Sequence, residues 1–352
     1  MIEKNLLVLF GGRSTEHDIS VKSVRNILKT VDTEEYTLLP VGITKDGQWL
    51  FVPDTEAIEK GVWEEKGAPC MLSPDSTRKS LFVFREGRWD EISVDVIFPV
   101  LHGLYGEDGT VQGLFELAGI PYIGCGVFSS ACAMDKAYTK LVVSHSGIRQ
   151  ADFVLTNRDE IRDFDAVAAR VEEKFSYPVF VKPSCAGSSV GVHKAENRAE
   201  LESALTDAAA NDYKVLIEET IVGRELECAV FDGGDGPVAS GVGEILAAAE
   251  FYDFDAKYNS PESETDNHPV LPDGVEEEIR EDARKIFRLL GCFGLSRVDF
   301  FYDGKNVIFN EINTLPGFTE ISMYPKLFAE AGIDGKALTK KLIESAYHRK
   351  DH

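Results

Sequence analysis

Ser296-Arg-Val-Asp-Phe-Phe-Tyr-Asp-Gly-Lys-Asn-Val-Ile-Phe-Asn-Glu-Ile-Asn313 reads as two strands, Ser296–Tyr302 and Asn306–Ile312, joined by the Asp303-Gly304 turn. Side chains alternate along a strand, so Arg297 and Asp299 share one face and Glu311 and Asn313 share another. Val298, Phe300, Ile308, Phe309 and Ile312 fill neighbouring positions, so the hairpin is buried on at least one side. Asp, Glu and Asn presented together are the hard oxygen donors that Mg²⁺ prefers. A solvated hairpin face with an Arg–Asp ion pair is the alternative reading of the same residues.

Outward from this hairpin the pattern changes. In the first third, Asn5–Phe10, Tyr36–Ile43 and Val94–Val100 read as strands, and Ile19–Val31 has apolar residues at helical spacing. Such alternation predicts a parallel sheet with crossover helices. Leu50–Ser93, rich in Pro, Gly and charge, reads as an insertion whose hairpins decorate the domain edge. After Gly124 come helices near 136–146, 158–175 and 197–210, with strands near 177–182 and 214–218. The last third adds strands at 225–231 and 238–245, a polar loop at 249–272, and helices at 275–291 and 335–347. The fold class is α/β, passing into α+β, in three units: 1–124, 125–223 and 224–352.

Three further stretches carry possible chemistry. Lys182-Pro-Ser-Cys-Ala-Gly-Ser-Ser-Val-Gly191 lets backbone N–H groups approach an anion, or is simply a flexible turn. Pro99-Val-Leu-His102-Gly-Leu-Tyr-Gly-Glu-Asp-Gly-Thr110 follows a strand and precedes a helix, where ligands of α/β folds collect. Asp108 or Thr110 equally serves as a helix cap there, and His102 as a structural histidine. Gly11-Gly-Arg-Ser-Thr-Glu16 is either a helix start or a substrate-facing loop with Glu16 aimed at an amine.

The chain has 352 residues, with 37 Lys and Arg against 60 Asp and Glu, a formal net charge of −23. That balance repels phosphate backbones and anionic membranes, so a general nucleic-acid or membrane binder is excluded. An anionic ligand then needs a locally basic pocket or a metal ion. No apolar run approaches the ~18–20 residues that span a bilayer. The six cysteines are scattered, without a CxxC pair, so neither a disulfide framework nor a zinc site is expected. The expectation is a cytoplasmic protein.

The order and joint content of these motifs resemble the ATP-grasp ligases, and within them the D-alanine–D-alanine ligases. The likeness runs through Gly11–Glu16, His102–Thr110, Met134-Asp-Lys136, Lys182–Gly191, Phe251–Tyr258, Ser296–Asp299 and Asn310–Thr319, leaving out only the Leu50–Ser93 insertion. It implies an ATP-grasp fold behind an N-terminal Rossmann-like domain. It implies that two D-alanine molecules are ligated through a D-alanyl phosphate, for peptidoglycan precursors, with ATP and two Mg²⁺ (or Mn²⁺) ions. A homodimer is implied as well. The alternatives are a D-alanine–D-serine ligase, another ATP-grasp carboxylate–amine ligase, or a nucleotide-binding module without catalysis.

The resemblance also implies residue roles. Lys136 and Lys182 contact nucleotide phosphates, and Lys257 reaches the γ-phosphoryl group. Glu218 and Glu225 bind the adenine amine and ribose, with the Glu219-Thr220-Ile221 backbone at the purine edge. Asp299, Glu311 and Asn313 hold the metals, while Arg297 and the Gly317 N–H stabilise an oxyanion. Glu16, assisted by His102, receives the ammonium of the first D-alanine, and joins Ser188 and Tyr258 in a set that closes the 249–272 loop. Ser322 and Met323 line the second amino-acid site, where the apolar Met323 favours D-alanine over D-serine.

Overall fold

Leu6, Leu7, Val8, Leu9 and Phe10 are all fully buried, as a run without polar alternation must be when both faces of its strand are covered. In the computed structural model, which describes residues 4–187, 190–246 and 264–349, this run is the second strand from one edge of a seven-stranded sheet. Its strands are β1 (Lys4–Gly11), β2 (Tyr36–Ile43), β3 (Trp49–Phe51), β4 (Ala68–Leu72), β5 (Ser80–Arg85), β6 (Arg88–Ser93) and β7 (Val96–Leu101). The order is β6-β5-β4-β3-β2-β1-β7, with β1 parallel to β2 and β7. Gly11 ends β1 at φ +85°, and a Cβ there would lie 2.2 Å from the Ile43 carbonyl oxygen, so only glycine fits this close approach.

Strands β3–β6 continue the sheet antiparallel beyond β2. The Leu50–Ser93 segment is therefore more than edge decoration. Trp63 is buried, its ring 5.0 Å from that of Phe10 and packed against the backbone of Gly42. A large aromatic ring at one end of a short helix supplied core that the mixed polar pattern around it hides.

The second sheet is antiparallel, ordered β10-β9-β11-β8, from β8 (Phe153–Asn157), β9 (Val179–Pro183), β10 (His193–Ala195) and β11 (Lys214–Glu219). Helices Phe164–Lys174 and Arg198–Asn211 cover one face through Val167, Val171, Leu201 and Leu205 against Val179, Val181, Val215 and Ile217. The alternate positions Phe180, Lys182 and Glu218 are thereby turned to the other face.

The third sheet is ordered β14-β13-β12-β15-β16, from β12 (Arg224–Asp232), β13 (Val238–Leu246), β14 (Glu264–Asp266), β15 (Gly294–Tyr302) and β16 (Val307–Asn313). Helix Val275–Leu289 packs Ile279, Ala283, Ile286 and Phe287 on Leu226, Cys228, Val298 and Phe300. Glu227, Arg297 and Asp299, one residue out of phase, face away from that helix. The hairpin contains a bulge: Asp299 pairs with Glu311 but Phe300 pairs with Phe309, leaving Asn310 over. The bulge lets Phe309 and Ile312 enter the same apolar core while Asn310 and Glu311 both reach the opposite side.

Among the described residues four short helices escaped the sequence reading: Thr55–Glu59 and Trp63–Lys66 within the 50–93 segment, and Val127–Met134 and Met323–Glu330. The C-terminal helix, Gly335–His348, packs against helix His17–Thr30 and β7 of the first sheet and also against β15 of the third. Leu338, Leu342, Ile343 and Ala346 join the cluster around β1, and Thr339 Oγ1 lies 2.8 Å from Thr30 Oγ1 on helix His17–Thr30. Leu342→Ala should therefore lower global stability by about 2–5 kcal/mol, the usual cost of emptying a fully buried leucine site. Urea denaturation checks it, and an unchanged midpoint would contradict a core role for this helix.

Candidate active site

A cavity of about 450 Å³ opens where the three sheets approach one another. The first sheet contributes the loops carrying Glu16 and His102–Glu107, and the second contributes Phe180, Lys182 and the turn Glu218–Gly223. The third contributes Glu225, Glu227, Arg297, Asp299 and the run Asn310–Gly317. Among the described residues its lining carries eight carboxylates (Glu16, Glu107, Glu218, Glu219, Glu225, Glu227, Asp299, Glu311) against four cations (Lys136, Lys182, Lys194, Arg297). A polyanion enters such a pocket only with additional positive charge.

Lys182 on β9 and Glu218 on β11 form a 2.6 Å ion pair, and Lys140 reaches the other Glu218 oxygen at 2.9 Å. Burial pushes the Glu218 carboxyl up, but Lys182 and then Lys140 outweigh it and hold it down at about 2. Burial likewise disfavours the Lys182 ammonium, yet Glu218 prevails and raises its pKa. Lys136 begins helix Lys136–Val143, whose N-cap Asp135 also accepts from Ser184 Oγ at 2.6 Å. Its ammonium donates to the Ala186 carbonyl (2.9 Å) and lies 3.4 Å from Glu311. Lys136 thus ties the glycine-serine loop of the second sheet to the third.

Glu227, Asp299 and Glu311 stand directly opposite one another on β12, β15 and β16. Like charges so placed repel, and buried they need cations. Arg297 supplies one: its Nε and Nη2 donate to the two Asp299 oxygens at 2.7 and 2.6 Å, and Nε lies 3.2 Å from Glu227. Asn313 Nδ2 donates to Asp299 Oδ2 at 3.0 Å. Among the described residues no cluster of three or more His, Cys, Asp or Glu side chains is arranged to hold a metal alone. Asp299, Glu311 and the Asn313 amide instead make a sparse oxygen set, which fits a hard divalent cation shared with a ligand's own oxygens.

Glu16, at the start of helix His17–Thr30, is wedged between two glycines. A Cβ on Gly103 would lie 2.6 Å, and one on Gly187 2.9 Å, from Glu16 Oε2. His102 donates from Nδ1 to the Leu315 carbonyl (2.9 Å), and its Nε2 lies 3.1 Å from Ser23 Oγ. Glu107 accepts from the Gly103 and Leu315 N–H groups, both at 2.8 Å. Asn26 donates to the Phe318 carbonyl at 2.9 Å, so the first domain holds the Leu315–Phe318 loop from four side chains. Burial, and next the charge of Glu16, push the Glu107 carboxyl up to about 7.

Of the residues expected from sequence, Glu16, His102, Lys136, Lys182, Glu218, Glu219, Thr220, Ile221, Glu225, Arg297, Asp299, Glu311, Asn313 and Gly317 line this one cavity. Ser188, Lys257 and Tyr258 lie outside the described residues. Ser322 and Met323 do not line the cavity among the described residues. Met323 is buried against Gly243, where a Cβ would fall 2.3 Å from its sulfur, and Ser322 Oγ accepts from the Thr319 N–H at 3.0 Å. Glu218 lines the cavity with its two carboxylate oxygens paired to the Lys140 and Lys182 ammonium groups. The Glu219 amide donates to the Asp152 carbonyl (3.1 Å), and the Thr220 hydroxyl donates to that of Pro178 (2.7 Å). His102 is held by protein on both ring nitrogens, which makes it a positioning group.

Sequence reasoning missed Lys140, Glu107 and Glu227. Lys140 follows Ala137 and precedes Val143 at three-residue spacing, which puts a lysine on the buried face of its helix. Glu227 shares the period-two phase of Glu225, a signal available in the sequence. Glu107 gave no such signal, because its partners are backbone groups from distant segments.

A family model described as D-ala D-ala ligase N-terminus matches residues 5–125, and one described as D-ala D-ala ligase C-terminus matches residues 142–344. The chain is 50% identical to the D-alanine–D-alanine ligase of Acetivibrio thermocellus, over 99% of this chain and 96% of that protein. It is 47% identical to that of Caldicellulosiruptor bescii, with the same coverage. Among solved structures, VanG D-Ala:D-Ser ligase from Enterococcus faecalis superposes with a TM-score of 0.89 at 37% identity, covering 98% of this chain and 99% of that one. The D-alanine–D-alanine ligase from Coxiella burnetii gives 0.85 at 34% identity, covering 98% and 96%.

The elevated Glu107 pKa has a defined pH signature. A carboxyl raised from 4.5 to about 7 in the folded state contributes stability below 4.5 that is lost as pH rises through 7. Between about pH 5 and pH 8 the wild-type protein should therefore lose stability relative to Glu107→Gln. Denaturation midpoints at the two pH values check this, and parallel curves would contradict it.

Proposed function

The chain belongs to the D-alanine–D-alanine ligase family, and from that premise we propose that it joins two molecules of D-alanine at the expense of ATP, supplying D-alanyl-D-alanine for peptidoglycan precursors. The observation that carries the reading is the meeting of Lys136, Lys182 and Arg297 with the Asp299, Glu311 and Asn313 oxygen set in one cavity. Phosphoryl transfer disperses negative charge and asks a protein for positioning and positive charge more than for covalent help.

In the first step a carboxylate oxygen of D-alanine attacks the γ-phosphorus of ATP, the bond to the bridging oxygen breaks, and ADP leaves. In the second, the amine of another D-alanine attacks the acyl carbon, loses a proton, and inorganic phosphate departs with the C–O bonding pair. Glu16 holds the ammonium of the first D-alanine, and the Glu16–His102 loops orient it. Lys136 and Lys182 bind phosphate oxygens, Lys182 being pre-placed by Glu218 and Lys140. Arg297 and the Gly317 N–H face the oxyanion that develops in the second step. Asp299, Glu311 and Asn313 would hold Mg²⁺, which when bound supplies positive charge to the β- and γ-phosphates. Ser188, Lys257 and Tyr258 keep the lid and γ-phosphate roles that the resemblance implies.

D-Serine as second substrate is the second reading, supported by the likeness to the Enterococcus faecalis D-Ala:D-Ser ligase. Phosphate release with D-alanine, D-serine, D-lactate or L-alanine tests both. D-Alanine alone should give phosphate and dipeptide in equal amounts. Faster turnover with added D-serine would move the assignment, and ATP binding without amino-acid-dependent phosphate release would overturn it.

A cytoplasmic homodimer completes the proposal. Among the described residues no helix is long and apolar enough to cross a membrane. Leu117 and Phe128, 66% and 67% exposed on the adjacent helices Thr110–Ala118 and Val127–Met134, are the apolar side chains that this reading assigns to the contact with a second copy. Phe128→Asp should shift the protein to monomer in sedimentation velocity, and an unchanged mass would remove this surface from the interface.

Arg297→Ala should cut kcat by about a hundredfold or more, the cost of removing an oxyanion donor, and change KM for ATP little. Steady-state kinetics check this, and an unaltered kcat would contradict the assignment.

A further inference from the structure

We propose that Glu227 is a positioning residue that keeps Arg297 in place when Asp299 is committed to a divalent cation, an inference that rests on the ligase reading above. Asp299 occupies the middle of the cross-strand row, with Glu227 on β12 to one side and Glu311 on β16 to the other. Neighbouring strands are about 4.8 Å apart, so the two sides of Asp299 are separate places. The side towards Glu311 and Asn313 has the oxygen set for a cation. The side towards Glu227 holds the guanidinium.

In the structure Asp299 gives both oxygens to Arg297, at 2.7 and 2.6 Å. A divalent cation drawn to Asp299 competes with that arrangement, because it needs the same lone pairs and repels the guanidinium. An arginine with Asp299 as its main carboxylate would then either exclude the cation or swing away from the reacting carbonyl. Glu227 removes the dilemma. Its Oε2 lies 3.2 Å from Arg297 Nε, and the side chains of Glu227, Arg297 and Asp299 are all about nine-tenths buried. Water there screens little, so a full negative charge on Glu227 counterbalances whatever share of Asp299 the cation takes. A glutamine in its place keeps the shape and a hydrogen-bond acceptor but loses the charge.

The test is cation binding without turnover. Mn²⁺ is titrated into the full-length protein with ADP, and free Mn²⁺ is read by electron paramagnetic resonance. Glu227→Gln should need roughly tenfold more Mn²⁺ for half-saturation, a usual size of coupling between contacting charges. Glu227→Asp, which keeps the charge, should recover most of the loss. In an Arg297→Ala background Glu227→Gln should change the midpoint by less than about twofold, because the competitor is gone. An unshifted midpoint in Glu227→Gln, or a shift that persists without Arg297, would overturn the inference. Failure of the wild-type protein to take up Mn²⁺ with ADP would overturn it together with the cation site. Normal Mn²⁺ behaviour in a protein that forms no dipeptide would overturn only the ligase reading.

Discussion

Three carboxylates set opposite one another on adjacent buried strands constitute a repulsion that the sheet cannot relieve by itself. Glu227, Asp299 and Glu311 are fixed in that row by strand register, and register is fixed by the apolar face beneath them, where Leu226, Cys228, Val298 and Phe300 meet helix Val275–Leu289. The core therefore dictates a negative centre, and two of the cations around the cavity are placed in answer to it. Arg297 enters the row, Lys136 approaches Glu311 from a neighbouring helix, and a divalent cation with its nucleotide would complete the balance. The chain's surplus of acid and its proposed affinity for a triphosphate are consistent for this reason.

The second organising constraint is geometric. The loop after β16 brings Gly317 into the cavity lining that also holds Arg297, yet much of its anchoring lies in another domain. His102 and Glu107 grip Leu315, and Ser23 and Asn26 grip Phe318. A donor meant to meet a developing charge must stand still, and backbone hydrogen bonds to buried side chains achieve that better than loop packing.

Much of this was legible in the sequence, and the parts that were not share a physical cause. Period-two alternation placed Arg297 with Asp299 and showed which β15 residues enter the core. Alternation alone could not reconcile a buried Phe309 with Glu311 facing the cavity, because the bulge at Asn310 shifts the phase by one residue. Lys140 was missed although it shares the helix period of Ala137 and Val143, and only the neighbouring Glu218 explains why a lysine survives on that buried face. Met323 suited a methyl-binding pocket by its chemistry, but the space it fills belongs to Gly243, a partner eighty residues earlier. Local pattern reports what a residue prefers; long-range packing decides which neighbour satisfies it.

The helix Gly335–His348, lodged in the core of the first sheet, has a consequence for biosynthesis. Thr30 and Thr339 touch across 309 positions of sequence. On a ribosome emitting about 5–20 residues each second, β1 and its neighbours wait tens of seconds with an apolar flank uncovered. The first sheet to be made is thus among the last to be finished. Such a nascent chain is a natural client for holdase chaperones, and contacts of this sequence separation make for slow folding.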